Sequence, residues 1–290
     1  MSERPAPPRS QWTGTGVKGP VPAGAHVVVT GGSSGIGLAI ASAYAARGAR
    51  LTLIARGSDA LTEAVQRLKT DHPEASVAAE AADIARNDAI AAALQRAEAR
   101  LGPCEVVIAC AGLVAPARFD VQPAEDFDRQ ISVNLIGTAN TIRAALPGLR
   151  LTGGRLMIVG SGAGLIGLYG YAAYCASKSA LIGLADSLRL ELAGDGISVG
   201  LCYPPDTETP QLAQERPLRP AEAEIMMGKV AAWPADRLAG KILAAIDRRR
   251  ANLYFTLELG LLGYLGSSLR PLLYAWFGRR IAAASRKGMR

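Results

Sequence analysis

His26-Val-Val-Val-Thr30-Gly-Gly-Ser-Ser-Gly-Ile-Gly37-Leu-Ala-Ile-Ala-Ser-Ala-Tyr-Ala-Ala-Arg47 decides the fold of this 290-residue chain. A short apolar run gives way to a glycine-rich turn and then to apolar residues at helical spacing, the pattern of strand, tight turn and helix. Gly48 follows as a helix C-cap. Glycines at Gly31, Gly35 and Gly37 bare the backbone where a pyrophosphate would rest on a helix N-terminus. Thr30, Ser33, Ser34 and Ile36 complete a turn expected to bind a nucleotide. Its spacing, Gly31-x-x-x-Gly35-x-Gly37, differs from the commoner G-x-G-x-x-G.

Outward from this turn, strand and helix patterns alternate. Residues 50–55, 105–110, 154–160 and 196–203 read as apolar strands, and a helix is expected from Asp59 to about Thr70. Such alternation implies an α/β fold: a doubly wound parallel sheet of Rossmann type with the ligand at the carboxyl ends of the strands. Apolar residues make up 49% of the chain, enough for a large single-domain core. Cysteines 104, 110, 175 and 202 lack metal-binding spacing, and His26 and His72 are isolated, so no metal is expected. The thiols read as reduced core residues of a cytoplasmic protein.

Tyr174-Cys-Ala-Ser-Lys178 sets a phenol one helical turn before an ammonium. A nearby cation favours the phenolate, so Lys178 is expected to lower the pKa of Tyr174 and make it a proton donor or acceptor. With Ser161, thirteen residues earlier, and Asn134 on a preceding helix, the chain resembles the short-chain dehydrogenase/reductase family over roughly residues 25–245. The resemblance also rests on Asp83-Ile84, Ala109-Cys-Ala111-Gly112, and Pro204 with Thr207 and Thr209. It implies that Tyr174 donates the proton in carbonyl reduction, that Ser161 positions the carbonyl oxygen and that Lys178 binds the nicotinamide ribose. It further implies that Asn134 holds a water linking Lys178 to solvent, that Asp83 faces the adenine and that Thr209 faces the carboxamide. Cys110, where many members carry Asn, and Pro205, where Gly is usual, depart from the pattern.

Leu53-Ile-Ala-Arg56 ends the second strand with a cation and no acid, which favours NADP(H) over NAD, with Ser33 and Ser34 as further donors to the 2′-phosphate. Within the family, Tyr203-Pro-Pro-Asp-Thr-Glu-Thr-Pro210 is similar to the segment in 3-ketodihydrosphingosine reductases. That likeness implies a long-chain keto-lipid substrate reduced at a membrane surface. A reductase for another ketone, such as a 3-oxoacyl thioester or a steroid, stays open, as does a non-catalytic nucleotide-binding scaffold. A substrate lid is expected over about 207–232, where Met226-Met227 suits an alkyl chain.

Residues 1–24 hold five prolines and four glycines and read as a disordered lead-in to a domain over 25–250. The net charge is +7, and residues 248–290 alone carry +8, so the rest of the chain sums to −1. A general nucleic-acid surface is therefore disfavoured. Leucine-rich and aromatic runs within residues 251–290 are too short to span a bilayer but suit the surface of an anionic membrane. The expected placement is cytoplasmic and peripherally membrane-associated; the alternative is a helical flap over the active site or a subunit contact. The family resemblance also implies a homo-oligomer, a dimer or tetramer.

Overall fold

The computed structural model describes residues 19–228 and 231–288. Seven parallel strands form one sheet in the order β3-β2-β1-β4-β5-β6-β9. They are β1 (His26–Thr30), β2 (Arg50–Ala55), β3 (Val77–Ala81), β4 (Val106–Ala109), β5 (Arg155–Val159), β6 (Ser198–Tyr203) and β9 (Asn252–Tyr254). The strand order reverses between β1 and β4, which pair from Val27↔Val106 to Thr30↔Ala109. That reversal is where doubly wound sheets open a crevice.

Side chains alternate across the sheet, so one strand feeds two cores. Val27, Val29, Leu51, Leu53, Val106 and Ile108 pack against α1 (Gly35–Ala45), α2 (Ser58–Asp71) and α9 (Ala235–Asp247). Val28, Ile54, Val107, Leu156 and Ile158 face α3 (Asn87–Leu101), α5 (Gly137–Thr152) and α6 (Ala172–Glu191). Helices on both faces explain why β1 is buried at every position.

The chain is ordered earlier than the expected lead-in allows. Val21 is buried and its N–H donates to Asp247 Oδ1 (3.0 Å), while Gly19 N–H reaches Asp247 O (2.9 Å). Asp247 also takes Arg47 (2.9 Å), so this one residue, through its carboxylate and its backbone carbonyl, ties Gly19 and Val21 to the domain. Residues 1–18 of the lead-in, and 229 and 230 of the lid, lie outside the described residues. The sheet also continues past residue 250: β9 pairs with β6 from Leu201↔Asn252 to Tyr203↔Tyr254. The C-terminal segment thus begins as part of the domain.

Two excursions leave the carboxyl edge of the sheet. After β6, the chain forms β7 (Thr207–Glu208), α7 (Pro210–Glu215) and α8 (Ala221–Met227), and returns through β8 (Trp233–Pro234), which pairs with β7. This clasped excursion occupies the expected lid. After β9, α10 (Leu257–Gly288) runs as one helix through Pro271. Its inner side is fixed by Arg270, whose Nε and Nη2 donate to Leu165 O (3.2 and 2.9 Å), and by Tyr274, whose hydroxyl accepts from Gly167 N (2.9 Å).

Candidate active site

Only glycine fits the turn after β1. Gly31 and Gly35 have φ of +68° and +52°, in the left-handed region that side chains disfavour. A Cβ on Gly31 would lie 2.9 Å from Ala111 Cα, and one on Gly37 only 2.2 Å from Gly31 O. Ser34 caps α1 in extended conformation with no side-chain hydrogen bond, which leaves the first N–H groups of the helix for a ligand. Gly37→Ala should therefore cost about 3 kcal/mol or more in urea denaturation and abolish nucleotide binding in a fluorescence titration. Wild-type stability and binding would refute this packing.

In front of the turn opens a cavity of about 890 Å³. Gly31, Ser33, Ser34, Gly35, Ile36 and Gly37 line one end, with Arg56, Asp83, Ile84, Ala111 and Gly112 beside them. These residues fit a dinucleotide: the side-chain-free cradle faces the cavity, and a cation stands at the end of β2. Arg56 is exposed and makes no hydrogen bond or ion pair among the described residues. Asp83 accepts from Ala85 N (3.0 Å), and its second oxygen accepts no hydrogen bond among the described residues. Thr30 does not join this set. Its buried hydroxyl donates to Ile108 O (3.4 Å) and accepts from Cys110 N (3.1 Å) and Ala111 N (3.3 Å), so it clamps β1 to β4 beneath the cavity floor.

The other end of the cavity gathers the titratable groups. α6 carries Tyr174 and Lys178 on one face, with Nζ 5.8 Å from the phenol centroid. Lys178 is buried and donates to Val159 O (3.0 Å) at the end of β5. Ser161, two residues further along, hydrogen-bonds the Tyr174 hydroxyl, and its Oγ also accepts from Ala163 N (3.1 Å). Asn134 sits in a π-helical turn (Ser132–Ile136) between α4 (Ala124–Ile131) and α5, a distortion that recurs at functional sites. Its amide accepts from Leu113 N (2.8 Å) and donates to Leu113 O (2.9 Å) and Ser177 Oγ (3.0 Å). Asn134 thus fixes the chain after β4 against α6, and a point off Gly112 lies 3.2 Å from its Oδ1 and 3.4 Å from Lys178 Nζ.

A dinucleotide cradle at a strand-order reversal, continuous with a Ser–Tyr–Lys cluster, is the arrangement that comparison with known proteins recognises. The family described as short chain dehydrogenase matches residues 25–219. The chain belongs to the short-chain dehydrogenase family. Among its relatives, the 3-ketodihydrosphingosine reductase of Bos taurus is 34% identical over 250 residues, 85% of this chain and 74% of the relative. The 3-dehydrosphinganine reductase of Danio rerio is 36% identical over the same shares. A short chain dehydrogenase from Mycobacterium paratuberculosis, solved bound to NAD, superposes with a TM-score of 0.73 at 25% identity and covers 83% of this chain and 99% of its own. Short-chain dehydrogenases are oxidoreductases that bind a nicotinamide cofactor.

In this short-chain dehydrogenase the electrostatics differ from the sequence expectation. Burial pushes the Tyr174 phenol well above its ordinary value; the Ser161 hydrogen bond opposes the rise, and Glu215 and Asp206 add to it. Burial acts on Lys178 as well and brings its pKa down to about 8. Tyr174 is therefore the neutral phenol, the form that gives up a proton.

The wall opposite the cradle holds residues that sequence reasoning partly missed. Pro204, Thr207 and Thr209 line it as expected. Thr209 Oγ1 accepts from Leu212 N (3.1 Å) to cap α7, and its methyl packs against Gly35. Thr207 Oγ1 donates to Pro205 O (2.9 Å). Tyr171, Asp206 and Glu215 also face the cavity, as do Leu259 and Leu262 of α10. Asp206 lay within a motif already singled out, and Leu259 and Leu262 within the leucine-rich run of the C-terminal segment; Glu215 has no local signature.

Proposed function

We propose that this oxidoreductase reduces the 3-keto group of 3-ketodihydrosphingosine to the hydroxyl of dihydrosphingosine with NADPH, at a membrane surface. The observation that carries this reading is the cavity wall beside Tyr174. Leu168, Met226, Met227, Leu259 and Leu262 make it apolar from the Ser161–Tyr174 pair to α10, as a long alkyl chain requires. The names of the relatives support the same substrate.

When bound, NADPH supplies the hydride. Tyr174 gives its phenolic proton to the ketone oxygen, and Ser161 donates a hydrogen bond that holds that oxygen as negative charge develops on it. Lys178, charged below about pH 8, steadies the phenolate left behind and holds the nicotinamide ribose. Asn134 serves as a positioning residue between the β4 end and α6, and its Oδ1 stands beside Nζ where a water can link Lys178 to solvent. Asp83 and Ile84 would hold the adenine, and Thr209, whose Oγ1 accepts from Leu212 N, would donate its hydroxyl proton to the carboxamide.

NADPH is preferred because Arg56, with Ser33 and Ser34, offers donors for a 2′-phosphate and no acid ends β2. Arg56→Glu should raise KM for NADPH about 10–100-fold, the worth of one charge-assisted contact, with little effect on NADH. An unchanged NADPH KM would count against it.

Support for the membrane surface comes from the outer face of α10. Leu257, Leu261, Leu265, Leu272 and Trp276 recur at helical spacing and all are exposed, Leu257 at 77% and Leu272 at 71%. Arg279 and Arg280 follow on the same side, as anionic lipid would favour. Among the described residues no helix is long and apolar enough to cross a membrane. A homo-oligomer, implied by the family resemblance, completes the reading. Incubating the purified protein with NADPH and a panel of 3-ketodihydrosphingosine, a 3-oxoacyl thioester and a steroid ketone tests the substrate. Turnover of the sphingoid ketone is expected; turnover of the others alone would overturn it.

A further inference from the structure

We propose that Asp206 and Glu215 form a subsite for a protonated amine on the carbon next to the ketone, and so select amino-ketones over plain ketones. The proposal rests on the ketone-reductase reading above and names what that site recognises besides the carbonyl.

Four side chains are linked along one wall of the cavity. The Tyr171 hydroxyl donates to Glu215 Oε1 (2.5 Å), which also accepts from Arg219 Nη2 (2.8 Å). Arg219 Nη1 donates to Asp206 Oδ2 (2.8 Å). The guanidinium is almost sealed, with 6% of its side chain exposed, against 11% for Glu215 and 23% for Asp206. Tyr171, Asp206 and Glu215 line the cavity, whereas Arg219 stands behind them. Its Nε is buried with no hydrogen-bond partner among the described residues, where the guanidinium bonds only the two carboxylates.

Two carboxylates share one guanidinium, so among the described residues this wall carries one negative charge in excess. One shared guanidinium cannot balance two carboxylates, and the charge left over is matched by a ligand of opposite sign. Glu215 Oε2 and Asp206 Oδ1 accept no hydrogen bond among the described residues, which leaves two anionic acceptors facing the cavity. The cation nearest the reacting groups, Lys178, donates to Val159 O and pairs with neither carboxylate among the described residues. An ammonium has three donors and suits such a pair.

The subsite lies beside the chemistry. The rings of Tyr171 and Tyr174 meet edge to face with centroids 6.3 Å apart, and both carboxylates exert their field on the Tyr174 phenol. In 3-ketodihydrosphingosine the amine sits on the carbon bonded to the carbonyl. With the oxygen held by Ser161 and Tyr174 and the ammonium by Asp206 and Glu215, the substrate has two anchors. Only the alkyl arm is left to lie along Met226, Met227 and α10. Two anchors on adjacent carbons fix which face of the carbonyl is presented, and orientation of that kind accelerates transfer.

The test compares kcat/KM for 3-ketodihydrosphingosine with that for the same molecule carrying hydrogen in place of the amine, at saturating NADPH. The wild-type protein should prefer the amine by about 100-fold, the worth of hydrogen bonds to a charged group. Asp206→Asn, the more exposed partner and the milder change, should shrink that ratio about tenfold, chiefly through KM. Glu215→Gln should do the same. Equal kcat/KM for the two ketones in the wild type would overturn the amine subsite while leaving ketone reduction intact. Turnover of neither ketone would overturn the reductase reading and this inference with it.

Discussion

Tyr174→Phe should lower kcat for ketone reduction by about 10²–10⁴-fold, the usual worth of a positioned acid, with NADPH affinity little changed. The substitution removes one oxygen from a half-buried ring and leaves the edge-to-face contact with Tyr171 in place. Only the proton and the hydrogen bond to Ser161 are lost. Stopped-flow measurement of NADPH oxidation, with cofactor binding followed separately by fluorescence, separates the two effects. A variant that keeps more than about a tenth of the wild-type kcat would show that Tyr174 is not the donor. Tyr171 cannot replace it without breaking its bond to Glu215.

The second large effect concerns α10. The full-length protein should float with phosphatidylcholine–phosphatidylserine vesicles, and a variant carrying Leu261→Glu, Leu265→Glu, Leu272→Glu and Trp276→Glu should stay in the soluble fraction. Each large apolar side chain withdrawn from water contributes roughly 1.5–3 kcal/mol, so replacing four should weaken partitioning by more than about 10³-fold. The four side chains point away from the cavity, which α10 lines with Leu259 and Leu262 instead. Equal flotation of both proteins would refute the role of this face.

The glycine turn and the Tyr174–Lys178 pair were legible because each is a local pattern: its chemistry lies within eight consecutive residues. Strand β3 was not, since Val-Ala-Ala-Glu-Ala has weak strand preference and only its first two residues are buried. Its place is set by pairing with β2 alone. β9 is three residues long and hidden in a segment whose charge and leucines suggested a separate tail. Arg270-Pro271 stands between two apolar runs, yet α10 continues through it, with Arg270 bonded to Leu165 O. Thr30 looked like part of the nucleotide turn, but a hydroxyl at the end of a central strand meets the neighbouring backbone first. The charge of Lys178 was expected to rule Tyr174; burial of the phenol outweighs it.

α10 presents Leu259 and Leu262 to the cavity and Leu261 and Leu265 to the outside, so a single cylinder of about 10 Å separates the two. Carrying a sphingoid chain of some fifteen methylenes through water would cost on the order of 12 kcal/mol at about 0.8 kcal/mol each. An enzyme resting on the bilayer along this helix would remove most of that barrier, because the chain would slide sideways from lipid to protein. Catalysis would then follow the substrate's mole fraction in the bilayer rather than its concentration in solution, and dilution with inert lipid would slow it at constant total substrate.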